Sequence, residues 1–252
     1  MKRLFALLAA LCLTLGCLAG CSNTTNSNET TPTEPAATVQ KEPVAVESVD
    51  FAGTVELDMD SETVKQEVTV KSFIDGDTTH FYVPSTVVDT GLLKARYLGV
   101  DTPESTGKIE EWGKKASNFT KEKLSSATSI IIESDDDNWN VDSTGGRHLV
   151  WVWYKPQGSD TYRNLNIELL QNGLSIAKSS GDTRYGETCL AAIAQAKSEK
   201  LYMHSNQDDP DFYYGESMPV TLKHLRTNIE LYEGMKVSFE GVITRISNQT
   251  AY

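Results

Sequence analysis

The chain is poor in cysteine. It has four in 252 residues, and three of them, Cys12, Cys17 and Cys21, fall in the first 21 positions. Only Cys189 remains for a folded domain, which excludes an internal disulfide framework. Set in the run "TCLAAIAQA", Cys189 reads as a buried apolar residue. Positive charge is also short: 23 Lys and Arg face 35 Asp and Glu, a net charge of −12. Such a chain is not expected to bind nucleic acid strongly through charge alone. The deficit is uneven, because residues 29–67 hold ten acidic residues and only two lysines. A bound divalent cation would relieve some of the remaining negative charge locally. Long apolar runs are confined to the N-terminus, and no solenoid-type repeat is present.

The apolar run "LFALLAALCLTLGCLAG" follows Lys2 and Arg3 and ends in small residues. It is short for a membrane span and has the anatomy of an export signal. Its close, "LAGC", resembles a bacterial lipoprotein signal, with Cys21 as the lipidated first residue of the mature chain; an ordinary signal cut nearby or an uncut anchor are the alternatives. Lipid on one residue holds a protein to a membrane surface without spanning it. Residues 1–21 are therefore read as a signal peptide and 22–66 as a disordered acidic linker. Order is expected to begin between Phe51 and Val68. A folded domain spans 67–206, and 207–252 forms a linker with part of a further β module.

Within 67–206, "EVTVKSFIDGDTTHFYV" predicts two strands around a turn at Asp75-Gly76-Asp77, and "LLKARYLGV" predicts one more. "EEWGKKASNFTKEKLSSA" has helical spacing, with Trp112, Ala116, Phe119 and Leu124 near one face. "TSIIIES" and "RHLVWVWYK" read as strands separated by the loop "DDDNWNVDSTGG". Helices are expected over "TYRNLNIELLQNGLSIA", stopping near Asn172-Gly173, and over "YGETCLAAIAQAKSEKLYMHS". This is an α+β domain long enough for one core. In the tail, a short helix precedes the alternating strand "MKVSFEGVITRIS" and a start of another at Thr250-Ala251-Tyr252.

The candidate chemistry lies on strand ends. Asp75 and Asp77 are two apart, so on extended backbone both carboxylates point one way; read alone, an ordinary turn explains them better than a site does. Asp101 and Glu104 flank a proline and converge on one point, a short ligand and a longer arm, though a capped loop fits them too. Hard oxygen donors of this kind suit Ca²⁺ or Mg²⁺ rather than Zn²⁺. Arg96, five residues before Asp101, needs a carboxylate or phosphate partner if its strand is buried. Arg147 follows Gly145-Gly146 at the mouth of an apolar strand. The run Asp135-Asp136-Asp137 reads as a solvated loop. His148 and His204 read as structural residues, and His80 has no evident partner.

Taken in order, Asp75-Gly76-Asp77-Thr78, Arg96 with Asp101-Thr102-Pro103-Glu104, Gly146-Arg147 and the Lys197–Leu201 stretch resemble the thermonuclease (staphylococcal-nuclease-like) family, over roughly Val68 to Ser205. The resemblance implies a small five-stranded β-barrel of OB type with three helices. It implies Ca²⁺-dependent cleavage of DNA and RNA. Asp77 and Asp101 would be metal carboxylates, with the Thr102 carbonyl as a further ligand. Glu104 would hold or activate the attacking water, Arg96 and Arg147 would clamp the phosphate, and Asp75 would stand at the edge of the site. Replacing either arginine is expected to cut turnover while leaving the fold intact.

The chain departs from the family pattern where tyrosines are usual: Gly145 stands two residues before Arg147, and "KSSGDTRYGE" replaces a tyrosine-bearing segment, with Tyr185 a poor candidate to substitute. His204 stands where the family often has a tryptophan. The tail stretch "YEGMKVSFEGVITRI" resembles the opening strands of an OB-fold nucleic-acid-binding module. The reading is a secreted, lipid-anchored Ca²⁺-dependent endonuclease at the extracellular face of a bacterial membrane or released from it, with DNA and RNA as substrates and no obligate protein partner. The alternatives are a catalytically weak nucleic-acid-binding surface lipoprotein and an adhesion protein that uses the barrel as a scaffold.

Overall fold

The computed structural model describes residues 48–232, 234–242, 246–247 and 250–251. The signal segment, Cys21 and most of the expected linker lie outside the described residues. In chain order the elements are α1 (Phe51–Thr54), β1 (Lys65–Glu67), β2 (Thr69–Asp75), β3 (Thr78–Tyr82), β4 (Leu92–Tyr97), β5 (Val100–Asp101), α2 (Gly113–Ser125), β6 (Ser129–Glu133), β7 (His148–Lys155), β8 (Arg163–Asn164), α3 (Leu165–Gln171), β9 (Ile176–Ala177) and α4 (Gly186–Ser198). The tail adds β10 (Met218–Pro219), α5 (Leu222–Thr227), β11 (Val237–Ser238), β12 (Ile246–Ser247) and β13 (Thr250–Ala251).

The main sheet runs β1-β6-β7-β4-β3-β2. Its two ends are halves of one bent segment, because Val68 sits between β1 and β2 and donates its N–H to the Ile130 carbonyl at 2.9 Å. The sheet thus returns on itself, which removes its open edges. Its pairs are antiparallel except β4 with β7, which run parallel. Alternation on β4 sends Leu93, Ala95 and Tyr97 inward and leaves Lys94 and Arg96 outside. On β7 the residues Val150 to Tyr154 are all buried. That strand is covered on both sides, which is why its sequence is a continuous apolar run rather than an alternating one. Trp151 and Trp153 stack edge-on against Tyr185, at ring distances of 5.0 and 5.5 Å. Burying each such side chain contributes roughly 1.5–3 kcal/mol.

Expected "LLKARYLGV" is not one strand. Gly99 has φ +74, a left-handed turn that ends β4 and starts β5. The parallel β4–β7 ladder stops there, and the fully buried Asn166 takes over its backbone groups. Its amide donates to the Leu98 and Val150 carbonyls and its oxygen accepts from Val152 N–H. The helix expected over 161–177 is shorter, since Arg163–Asn164 pair with β7 and the Asn164 side chain caps α3 by accepting from Ile167 N–H at 3.1 Å. It ends at Asn172 and Gly173 as the sequence predicts. Helix α2 starts at Gly113, after a left-handed Trp112, and buries Ala116, Thr120 and Leu124. The α-helices within 67–206 are α2, α3 and α4; the last expected helix ends at Ser198, and only a 3-10 turn at Tyr202–His204 follows it.

The tail pattern also differs. The expected strand from Met235 to Ser247 is present as β11 and β12, β11 pairs in parallel with β10, and Phe239 and Val242 are exposed. No helix among the described residues is long and apolar enough to cross a membrane.

Residues 48–66, assigned by composition to the linker, carry α1 and the start of β1. Their order comes from partners elsewhere in the chain. Arg163 donates to both oxygens of Asp50 at 2.7 Å, Gln171 holds Ala52 N–H and Asp50, and Gln195 holds both backbone groups of Val49. Ala52 is fully buried. The Arg163 hydrogen bond is the main reason the Asp50 carboxyl sits at about 2, below its ordinary 3.8. A depressed carboxylate stabilises fully above its unfolded value and loses that contribution as pH falls through the folded one. Asp50→Ala is expected to cost about 1 kcal/mol at pH 7. In urea denaturation the gap to wild type should shrink between about pH 4 and about pH 2; a gap equally large at pH 3 and pH 7 contradicts the ion-pair account.

Candidate active site

The turn between β2 and β3 sets the first two carboxylates. The expectation that Asp75 and Asp77 point one way fails, because parity holds along a strand and not around a hairpin turn. Asp75 turns to the following loop and accepts from Ser105 N–H at 3.0 Å, from the Ser105 hydroxyl at 2.7 Å and from the Thr106 hydroxyl at 3.3 Å. Asp77, fully buried, turns the other way. Its Oδ1 accepts from Arg96 Nη1 at 2.6 Å and from the Thr78 hydroxyl at 3.0 Å, and its Oδ2 accepts from Thr102 N–H at 2.8 Å. Burial pushes the Asp77 carboxyl up despite the Arg96 charge beside it.

Arg96 sits on the outer face of β4 opposite Thr78. The turn at Gly99 then folds β5 back so that Asp101 meets the other arm of the same guanidinium, Nη2 to Oδ1. Asp101 is held in turn by β9, its strand partner: Ser175 Oγ accepts its N–H at 2.9 Å, and Lys178 Nζ donates to its Oδ2 at 3.0 Å. Arg96, Asp101, Glu104, Asp142, Arg147 and Lys178 line one cleft of about 450 Å³. Glu104 is exposed there. Partial burial first, and then the charges of Asp75 and Asp77, push its carboxyl above the ordinary range.

Arg147 enters from the 142–147 loop, which closes on itself through Asp142 N–H to Arg147 O and Gly145 N–H to Asp142 O, both 2.8 Å. Its Nε donates to Asp142 at 2.7 Å. The Thr144 hydroxyl first, then Arg147, hold the Asp142 carboxyl well below the usual range. This leaves both terminal nitrogens of Arg147 without a partner among the described residues, and its side chain is 35% exposed. Two parallel N–H groups on a fork of this kind match two oxygens of a phosphate.

Two carboxylates with a backbone carbonyl are a sparse donor set, and the described residues hold no cluster of three or more His, Cys, Asp or Glu side chains suited to a metal. The set still fits a hard cation that keeps several waters. A carboxylate has about four acceptor positions; Asp77 uses three in the bonds above and Asp101 two, so both keep acceptor capacity. Their Oδ1 atoms already converge on one positive group, the Arg96 guanidinium.

The site thus brings together Arg96, Asp101, Glu104 and Arg147 in the cleft, with Asp77 and the Thr102 backbone directly behind it, and places Asp75 as a holder of the 105–106 loop. Lys178 and Asp142 were not legible as site residues. Lys178 joins through the β5–β9 pairing, a contact with no local sequence signal. Tyr185 does not reach the cleft; it packs on Trp151 and Trp153 and donates to Glu133 at 3.0 Å. The Asp135–Asp137 run is a hydrogen-bonding loop: Asp135 accepts from Trp151 Nε1 and Asp136 from Asn140.

A closed, mostly antiparallel sheet with an acid–arginine cleft at its strand ends defines an OB-fold protein built to meet an anionic group. The chain belongs to the staphylococcal nuclease family: a family model described as "Staphylococcal nuclease homologue" matches residues 94–206. It is 32% identical over 148 residues to a thermonuclease of Staphylococcus hyicus, covering 56% of this chain and 78% of that one. It is 34% identical over 114 residues to a thermonuclease of Staphylococcus intermedius, covering 43% and 58%. An uncharacterized protein of Methanocaldococcus jannaschii is 32% identical over 123 residues, covering 41% and 55%. The chain therefore spans a little over half the length of these last two relatives.

The two arginines differ in structural cost, which revises the expectation that both can be removed without harm to the fold. Arg96→Ala leaves the buried Asp77 carboxylate without its counter-charge and should lower stability by about 3 kcal/mol. Arg147→Ala breaks a surface pair and should cost under about 1 kcal/mol. Chemical denaturation of the two variants tests this; equal losses would contradict the burial argument.

Proposed function

We propose that the chain is a metal-dependent nuclease that hydrolyses phosphodiester bonds of DNA and RNA, tethered by lipid on Cys21 at the outer face of a bacterial membrane. The observation that carries the catalytic part is the Arg96 fork bridging Asp77 and Asp101 at the mouth of a cleft shared with Glu104 and Arg147. Family membership supports a nuclease, and the oxygen donors suit Ca²⁺. The tether rests on the sequence alone, on "LAGC" and the polar segment after it.

Asp77, Asp101 and the Thr102 carbonyl would hold the cation. When bound, it draws charge from the phosphoryl oxygens and offers a site for water. The chain's own groups do the rest. Arg147 presents its two terminal nitrogens to two phosphate oxygens. Arg96 keeps three of its five N–H groups beyond those given to the aspartates. Together they stabilise the negative charge that grows on the phosphoryl group, which is usually the largest catalytic effect. Glu104 accepts a hydrogen bond from the attacking water and fixes its direction; a carboxylate in this role adds typically about 10²–10⁴-fold. Because the chain is acidic overall, phosphate binding depends on the local cations Arg96, Arg147 and Lys178 and not on a basic surface.

The test is digestion of single- and double-stranded DNA and of RNA by purified protein with Ca²⁺, with EDTA, and with Glu104→Gln. Cleavage with Ca²⁺, loss with EDTA and a drop in kcat of about 10²-fold or more in Glu104→Gln are expected. Cleavage that survives EDTA removes the metal from the mechanism, and binding without cleavage favours a nucleic-acid-binding role. For the tether, Cys21→Ala should move the protein from the membrane fraction to the soluble or secreted one; an unchanged distribution contradicts lipidation.

A further inference from the structure

Glu104 sits in an awkward place. Asp75 and Asp77 repel its carboxylate, and its loop, residues 102–112, has no regular secondary structure. Left to itself, such a loop would swing the charge outward into solvent. The structure ties it down from several directions. Thr102 N–H is held by Asp77, and Ser105 by Asp75. Glu104 and Glu110 bond reciprocally: Glu110 N–H donates to the Glu104 carbonyl at 2.8 Å, and the Glu110 carboxylate accepts from Glu104 N–H at 3.2 Å. The far end of the loop stacks directly under Glu104, since a Cβ on Gly113 would lie 2.2 Å from the Glu104 carbonyl oxygen. Gly113 therefore has no room to shift toward the Glu104 carbonyl without displacing it.

What fixes Trp112 comes from outside the family-matched residues 94–206. The Asp209 carboxylate, 3% exposed, accepts the Trp112 N–H through Oδ2 at 2.6 Å. Its other oxygen accepts from Asp211 N–H at 3.0 Å, and its own N–H donates to the Tyr214 hydroxyl at 2.7 Å. Phe212 N–H closes the turn onto the Asp209 carbonyl at 3.1 Å. Asp209 is therefore a buried carboxylate in a self-braced turn, with one oxygen on its own turn and the other on the Trp112 amide. Trp112 needs such an anchor. It is in the left-handed region, φ 65, a conformation unfavourable for a bulky side chain, and its own side chain supplies no cap for α2.

We infer that Asp209 is a positioning residue for the active site: by holding Trp112 N–H it fixes Gly113, and through the Gly113–Glu104 contact it fixes the backbone that carries Glu104. The segment after the nuclease domain is then a working part of the site. The catalytic consequence rests on the nuclease reading above. The anchoring itself does not.

Two measurements test it on the full chain: steady-state cleavage and amide hydrogen exchange of Asp209→Ala and Asp209→Asn. Asp209→Ala should lower kcat tenfold or more with KM within about twofold, since misplacing a reacting group by about 1 Å is worth up to about 10²-fold. Exchange at the amides of Trp112 and Gly113 should speed up. Asp209→Asn, which keeps an acceptor oxygen, should recover most of both. A kcat within twofold of wild type in Asp209→Ala overturns the positioning role. So does a loss that Asp209→Asn fails to rescue, or one that appears in KM instead. If wild type cleaves no nucleic acid under any metal condition, the nuclease reading fails, and exchange decides the anchor alone: unchanged protection at Trp112 and Gly113 in Asp209→Ala overturns it.

Discussion

One guanidinium between two carboxylates organises this molecule. Asp77 is fully buried, and an unpaired buried carboxylate would cost several kcal/mol or take up a proton. Arg96 offsets part of that penalty, and its second arm donates to Asp101. This bridge dictates the backbone around it. β4 cannot run on as a straight strand, because alternation would carry Asp101 to the opposite face from Arg96. The left-handed turn at Gly99 cancels the parity, and Asn166 repairs the hydrogen bonds that the broken β4–β7 ladder leaves behind. A buried asparagine with both amide ends paired to backbone is thus a direct consequence of where two charged side chains have to meet.

The same electrostatics explain why the next loop is so heavily tied. Crowding three carboxylates at 75, 77 and 104 is unfavourable in the free protein, and the repulsion acts on the most exposed of them. Asp75 and Asp77 are spent on fixed hydrogen bonds to the 102–106 backbone, so the groups that repel Glu104 also fasten the chain that carries it. A further anchor reaches in from residue 209, and the Glu104–Glu110 pair closes the loop on itself. Such a site holds a raised carboxyl beside the cleft without relying on regular secondary structure.

Much of this was legible in the sequence, and the failures have a common cause. The order of Asp77, Arg96, Asp101, Glu104 and Arg147 marks strand ends, and strand ends meet at one rim of a closed sheet. The apolar run of β7 shows by its lack of alternation that both its faces are covered. Parity misled at Asp75 and Asp77, because a rule for extended chain does not survive a hairpin turn. Composition misled at residues 48–66, where order is imposed by Arg163, Gln171 and Gln195, more than a hundred residues away. Lys178, Asn166 and Asp209 were invisible for the same reason. Each acts through one long-range contact, and no local pattern encodes the register of β5 on β9 or the fold-back of the tail.

Where tyrosines are usual in the family, this chain has Gly145 and a 178–187 segment whose one tyrosine is Tyr185. An aromatic side chain at the rim of a nucleic-acid cleft holds a base by stacking on its face. Here the rim at 178–179 is a lysine paired with Asp101 and a serine in a left-handed turn. The nearby tyrosine, Tyr185, is committed to the core: burial pushes its phenol well up, and its hydroxyl is spent on Glu133. It cannot leave for the cleft without giving up its hydrogen bond to the buried Glu133 and its packing against Trp151 and Trp153. On the proposed nuclease reading, recognition at this rim would rest on charge, through Lys178, Arg147 and Arg96. If its ligand is a nucleic acid, as proposed, such a cleft would read the phosphate chain more than the bases, because phosphate contacts carry no sequence information and, on an acidic protein, need cations gathered locally.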